Sequence, residues 1–142
     1  MKFPARALLD DPMTETDDSD IDLLVVTDDL RVQEGFQYSL PAGVSARFAA
    51  DARSAWMELQ TAVPTVVVVD IQTGSAGGYG LAKDMGARPE LAQIPVVMLL
   101  ERAHDSWLAR QAGAVSSVCK PVAATSLVRQ CIEAVNSSRP GR

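Results

Sequence analysis

The chain has 142 residues, 47% of them apolar and 22% charged, with a formal net charge of -5 at neutral pH. That length suits one compact domain and not two, and the composition is that of an ordinary soluble globular protein. The negative balance, with no cluster of lysine and arginine, argues against direct nucleic-acid binding, which needs concentrated positive charge. The longest apolar runs, such as residues 66–69 and 95–100, fall far short of the roughly 20 residues of a membrane helix.

Residues 1–20 hold Pro4, Pro12 and the acidic stretch from Glu15 to Asp20, with too little to bury to order themselves, so a disordered acidic tail is expected there. Asp10 and Asp11 interrupt the start of the chain before any adequate apolar stretch, which speaks against a secretory signal and for the cytoplasm. Met13 offers an alternative start, which leaves open whether residues 1–12 are native.

From Ile21 onward, short apolar runs alternate with segments of helical period. This is the signature of a parallel sheet covered by helices on both faces, read five times as strand then helix over residues 21–136. The first strand spans residues 21–26, and Leu30, Phe36 and Leu40 are placed on the buried side of the segment that follows. Pro41 to Gly43 closes it. Residues 44–50 alternate Val44, Ala46 and Phe48 against polar or small residues, as a strand near the sheet edge does. Asp51 caps a helix containing Trp56, Met57 and Leu59.

Residues 65–69 are β-branched throughout, which predicts the central strand, ended by Asp70. After a glycine-rich loop, residues 81–85 lie in a third helix, 94–100 form the fourth strand, 104–112 include the fourth helix, and 115–119 form a weak fifth strand. Leu127, Val128, Cys131, Ile132 and Val135 recur at helical spacing as the face of the last helix that docks on the sheet. Residues 137–142 read as a short polar tail with no room for an effector domain after it. Cys119 and Cys131 have neither CxxC nor metal-finger spacing and are expected to be reduced core residues.

In an open doubly wound sheet, ligands bind outside the carboxyl ends of the strands. Thr27, Asp28 and Asp29 follow the first strand, Asp70 ends the third, Leu100 and Glu101 end the fourth, and Lys120 and Pro121 end the fifth. Carboxylates on neighbouring central strands make an oxygen-rich pocket suited to Mg2+, and Lys120 supplies a compact cation for a phosphoryl oxygen. Asp70 is then a nucleophile, and its product an aspartyl phosphate carrying about two negative charges.

Blander readings stand beside this one. Asp70 alone could cap a turn, Asp28 and Asp29 could open the first helix as solvated residues, Lys120 alone is a loop residue, and Glu101 with Arg102 reads as a solvated loop pair. Residues 74–80 lack the GKS or GKT ending of a P-loop. His104, the sole histidine, has no GxSxG elbow to serve a hydrolase triad. Trp56 and Trp107 read as core or edge packing.

Taken together, residues 23–29, 64–70, 94–99 and 113–121 resemble the acidic first-strand motif, the phosphoacceptor strand, the fourth strand and the lysine-proline fifth strand of receiver (CheY-like) domains of two-component response regulators. The resemblance implies a flavodoxin-like doubly wound α/β fold with strand order 2-1-3-4-5. It implies a single-domain response regulator that is no enzyme beyond self-phosphotransfer and autodephosphorylation. Asp70 would take a phosphoryl group from a sensor histidine kinase or phosphotransfer protein, and Lys120 would contact that group. Mg2+ would be held by Asp28 and Asp70, with Asp29 and the Gln72 backbone carbonyl as further candidates. An unknown output protein, or a second copy in a homodimer, would meet the face made by the fourth helix, fifth strand and fifth helix.

Three positions depart from the family pattern. Thr27 stands at the first acidic position, which makes Asp28 the direct ligand and puts Asp29 beyond the pair. Leu100 replaces the serine or threonine that binds the phosphoryl group, a contact worth about 1.5–3 kcal/mol when made to a charge. Ser117 replaces the aromatic switch residue, and the loop 71–78 is richer in glycine than the family's. These departures motivate an alternative, a pseudo-receiver that keeps the fold as an interaction module without switching. An unrelated flavodoxin-like binder of nucleotide or flavin is the third reading.

Overall fold

The computed structural model describes residues 21–72 and 77–138. The tail expected over residues 1–20, residues 139–142 and part of the glycine-rich loop, 73–76, lie outside the described residues. Five parallel strands form one sheet: β1 (Ile21–Val26), β2 (Val44–Ala49), β3 (Val66–Asp70), β4 (Val96–Leu100) and β5 (Ser116–Cys119), in the order 2-1-3-4-5. Five α-helices connect and cover them: α1 (Leu30–Gln37), α2 (Ala52–Thr61), α3 (Gly77–Gly86), α4 (Ser106–Gln111), entered through a 3-10 turn at Ala103–Asp105, and α5 (Ala124–Ser138). This is the doubly wound arrangement the sequence predicts.

Strand period sorts the core into two layers, because successive side chains point to opposite faces. Leu24, Val26, Val67, Val69, Met98 and Leu100 pack with Leu59, Leu81, Met85 and Ala109 from α2, α3 and α4. Leu23, Val25, Val66, Val68, Val97 and Leu99 pack with Phe36 from α1 and with Leu127, Cys131 and Val135 from α5. The valine run of β3 is buried throughout, and it brings Asp70 to the end of the sheet opposite Leu99.

Several details differ from the sequence reading. Leu30 is 69% exposed: the Asp29 carboxylate caps α1 by accepting from the Arg31 N–H, so Leu30 is the first helical residue. Val32 and Phe36, four apart, carry the buried side instead. Leu40 packs against the same layer from beyond the helix end. Asp51 does cap α2, through the Ser54 N–H, but Met57 is exposed. Val115 is exposed and precedes β5, and Ile94 precedes β4. Trp107 is half-exposed, while Trp56 is partly buried with the Arg88 guanidinium over its ring.

The edge strand is fastened by Arg47. Its guanidinium donates to Asp22 and Glu58 carboxylates, each at 3.1 Å, and to the Glu58 and Ala62 carbonyls. Arg47→Ala is expected to cost about 2 kcal/mol in urea unfolding with an unchanged m-value, since charge-assisted bonds to backbone go along with two partly exposed ion pairs.

The cysteines are both free, but only Cys131 is a core residue. Burial pushes its thiol up to about 12, whereas Cys119 is half-buried and donates to the Lys120 carbonyl. A thiol reagent at mildly alkaline pH should therefore modify the native protein once, at Cys119, and Cys119→Ser should remove that reaction; modification of Cys131 in the native state would contradict this.

Candidate functional site

The carboxyl ends of β1, β3, β4 and β5 converge, and the residues just beyond them form one charged cluster. Asp70 is only 2% exposed. Its Oδ2 accepts from the Lys120 ammonium at 2.7 Å and from the Thr27 hydroxyl at 2.9 Å, and its Oδ1 accepts from the Gln72 N–H at 3.2 Å. Lys120 is placed by β5, whose pairing with β4 continues as a bond from the Lys120 N–H to the Leu100 carbonyl. The Lys120–Pro121 peptide bond is cis.

Two further carboxylates meet the same ammonium, Asp29 at 3.3 Å and Glu101 at 3.1 Å. Burial works against the charge on Lys120, yet its hydrogen bonds to Asp70 and Glu101 outweigh that and hold its pKa well above the ordinary lysine value. Burial likewise opposes ionisation of Asp29, but the Arg31 N–H and Lys120 lower its pKa on balance. Thr27 accepts the Asp29 N–H at 3.1 Å while donating to Asp70. One hydroxyl thus links the ends of β1 and β3.

Of the expected site residues, Asp70, Lys120 and Asp29 come together, and Asp28 is exposed at the same end of the sheet. Asp29 was expected beyond the working pair; capping α1 turns its second carboxylate oxygen onto Lys120. Glu101, which the sequence presents as half of a solvated loop pair, joins them at Lys120. The signal for it was register: Leu100 pairs with Cys119, so the next residues, Glu101 and Lys120, leave the sheet side by side. Leu100 is buried at the end of β4, and Ser117 is half-buried opposite Met98.

The donors here are hard oxygens, which suit Mg2+ and not a soft metal. Among the described residues no group of three or more His, Cys, Asp or Glu side chains is disposed to hold a metal ion. Mg2+ commonly relies on one or two carboxylates and keeps several waters, so it does not require a larger cluster. Beside the lysine, a cavity of about 440 Å3 runs between α1 and α5, with Asp29, Arg31, Glu101 and Lys120 at its polar side and Phe36 and Leu127 among its apolar lining. No helix among the described residues is long and apolar enough to cross a membrane.

Comparison with known proteins agrees with this fold. The model of the response regulator receiver domain matches residues 23–132. No curated protein sequence matches. Among solved structures, a Chloroflexus aurantiacus protein assigned as a response regulator is 26% identical with a TM-score of 0.76, the match covering 82% of this chain and 98% of that one. NtrX from Brucella abortus is 25% identical with a TM-score of 0.71 over 83% of this chain, which spans 27% of NtrX. A CheY-like receiver domain protein from Methanospirillum hungatei, 18% identical with a TM-score of 0.70, shares the fold over 83% of this chain and 95% of its own.

Proposed function

This chain belongs to the response regulator receiver domain family of two-component signalling, and on that premise we propose that Asp70 is its phosphoacceptor. The observation that carries the reading is the Lys120 ammonium 2.7 Å from a carboxylate that is itself buried at the end of the central strand. A buried carboxylate is retained at a cost unless it is paired, and here its partner is the cation that a transferring phosphoryl group requires.

Among the described contacts, Asp70 Oδ1 has one partner, the Gln72 N–H, while Oδ2 has two. In this reading the Asp70 carboxylate attacks phosphorus. With a phosphohistidine donor, an O–P bond forms as the N–P bond breaks, and the electron pair leaves with the imidazole. Lys120 meets the charge that the phosphoryl oxygens bring. Asp70 and Asp28, with Asp29 and the Gln72 carbonyl as further oxygens, would hold Mg2+, which would supply additional charge neutralisation.

In this reading the domain acts in the cytoplasm, takes phosphate from a sensor histidine kinase or phosphotransfer protein, and signals by protein contact. The face made by α4, β5 and α5 is the candidate surface for an output protein or a second copy; Trp107 on α4 and Val115, just before β5, are both exposed. A second reading is favoured by Leu100, whose buried alkyl side chain stands where a hydroxyl is needed: a pseudo-receiver whose binding does not depend on phosphate. Partner affinity unchanged by both Asp70→Asn and Asp70→Glu would support that reading.

The phosphoacceptor reading is tested by titrating Mg2+ with and without beryllofluoride, a phosphoryl mimic, while following backbone amides by NMR. Thr27, Gln72, Glu101 and Lys120 amides should shift in wild type and stay in place in Asp70→Asn. A wild-type spectrum indifferent to the mimic would remove the reading.

A further inference from the structure

We propose that Glu101 is a positioning residue that competes for Lys120, withholding the ammonium from an incoming phosphoryl group and yielding it once Asp70 is phosphorylated. The inference rests on Asp70 being the phosphoacceptor. Lys120 faces three carboxylates, Asp70 at 2.7 Å, Glu101 at 3.1 Å and Asp29 at 3.3 Å, so one ammonium is shared among three, with the Arg31 guanidinium acting on Asp29 as well. The three carboxylates are not equally anchored. Asp70 is buried in the sheet and takes bonds from Thr27 and Gln72. Asp29 is tied by its cap to Arg31 and by its own N–H to Thr27. Glu101 is 39% exposed and is the first residue beyond β4.

Phosphorylation turns the single charge of Asp70 into about two negative charges and offers three acceptor oxygens. The ammonium has three donors and turns toward them, while the added charge repels the remaining carboxylates. Glu101 is the one that leaves, because water can take over its solvation and a part-exposed ion pair costs little to break. Its backbone leads through Arg102 into the 3-10 turn Ala103–Asp105 and on to Ser106–Gln111, which carries half-exposed Trp107. Leu100 has no hydroxyl with which to draw this loop inward. Charge repulsion at Glu101 moves it outward instead, so the signal is a release and not a capture.

The test uses acetyl phosphate with Mg2+, whose phosphoryl group passes to Asp70 as the acetate leaves with the electron pair of the broken P–O bond. Initial rates are read by intact mass at low and high ionic strength, and Trp107 fluorescence is followed in a Trp56→Phe background. Glu101→Gln should speed phosphorylation by about two- to fivefold, the range a part-exposed ion pair allows. It should also weaken the salt dependence and abolish most of the phosphorylation-linked change in Trp107 emission. Glu101→Asp, which restores the charge, should return the rate to within about twofold of wild type on the same grounds. Wild-type rate and salt dependence in Glu101→Gln, with Asp70 phosphorylated normally, would overturn the inference while leaving the phosphoacceptor reading intact. Failure of wild type to take phosphate would overturn both.

Discussion

Lys120→Met is expected to lower stability by about 3 kcal/mol at neutral pH, the low end for removing one partner of a buried ion pair, and to slow phosphate acceptance about a hundredfold. Lys120 is the cation that three carboxylates share. Without it the Asp70 carboxylate keeps only the Thr27 hydroxyl and Gln72 N–H among its described partners. Because Lys120 has its pKa raised in the folded protein, its contribution is fully present below the unfolded lysine value of about 10.4 and is lost as pH rises from there through the folded value. The stability gap between wild type and Lys120→Met should therefore be level from neutral to mildly alkaline pH and close only in strong alkali. Urea unfolding across that range checks it. A gap that closes around neutral pH would point to another group.

Gly78→Ala should be as damaging through the backbone alone. A Cβ at this position runs into the Asp70 carbonyl oxygen and Val69 Cγ1, neither of which is the free end of a flexible side chain. The helix α3 must back away from the sheet, breaking the bond from the Gly78 N–H to the Ile71 carbonyl and shifting the strand end that presents Asp70. A loss of about 3 kcal/mol is expected, the upper end for overpacking, together with slower phosphate acceptance. Gly80→Ala is the matched control: a Cβ there meets nothing within 4 Å, so removing a helical glycine should stabilise by about 0.5–1 kcal/mol. Denaturation of the two variants side by side separates steric from conformational effects. Equal behaviour would contradict the account.

What was legible in the sequence was whatever short-range pattern fixes. The valine run of β3, the Asp51 cap and the apolar stripe of α5 each mark their own element, and such patterns put Asp70 and Lys120 at strand ends; the sheet order came from the resemblance to receiver domains. Less legible was anything decided by a single turn of backbone. Spacing alone cannot tell whether Asp28 or Asp29 faces the lysine; the cap on Arg31 decides it by starting α1 at Leu30. The same event moves Leu30 to the surface and gives its expected place to Val32. Glu101 was misread because its partner lies on the next strand, and a charge beside an arginine in a loop looks solvated until strand register is known. Thr27 looked like a missing carboxylate, yet its hydroxyl bonds Asp70 directly.

Thr27 and Leu100 thus have different consequences. The Thr27 hydroxyl keeps a polar link from the end of β1 to Asp70. Leu100 removes a hydroxyl from the end of β4 and leaves the loop beyond it held to the site through Glu101 and Lys120. On the proposed reading, acceptance of phosphate and its conversion into movement rest on separate residues, so each is expected to be separable from the other by mutation.

Phosphate acceptance at Asp70 is read from the intact mass of wild type and Asp70→Asn after incubation with acetyl phosphate and Mg2+, followed by fragmentation to place the modification. Wild type should gain one phosphoryl group, located on Asp70, and Asp70→Asn should gain none. A wild-type protein that stays unmodified even with a cognate histidine kinase, or an Asp70→Asn variant that is still modified, would contradict the account.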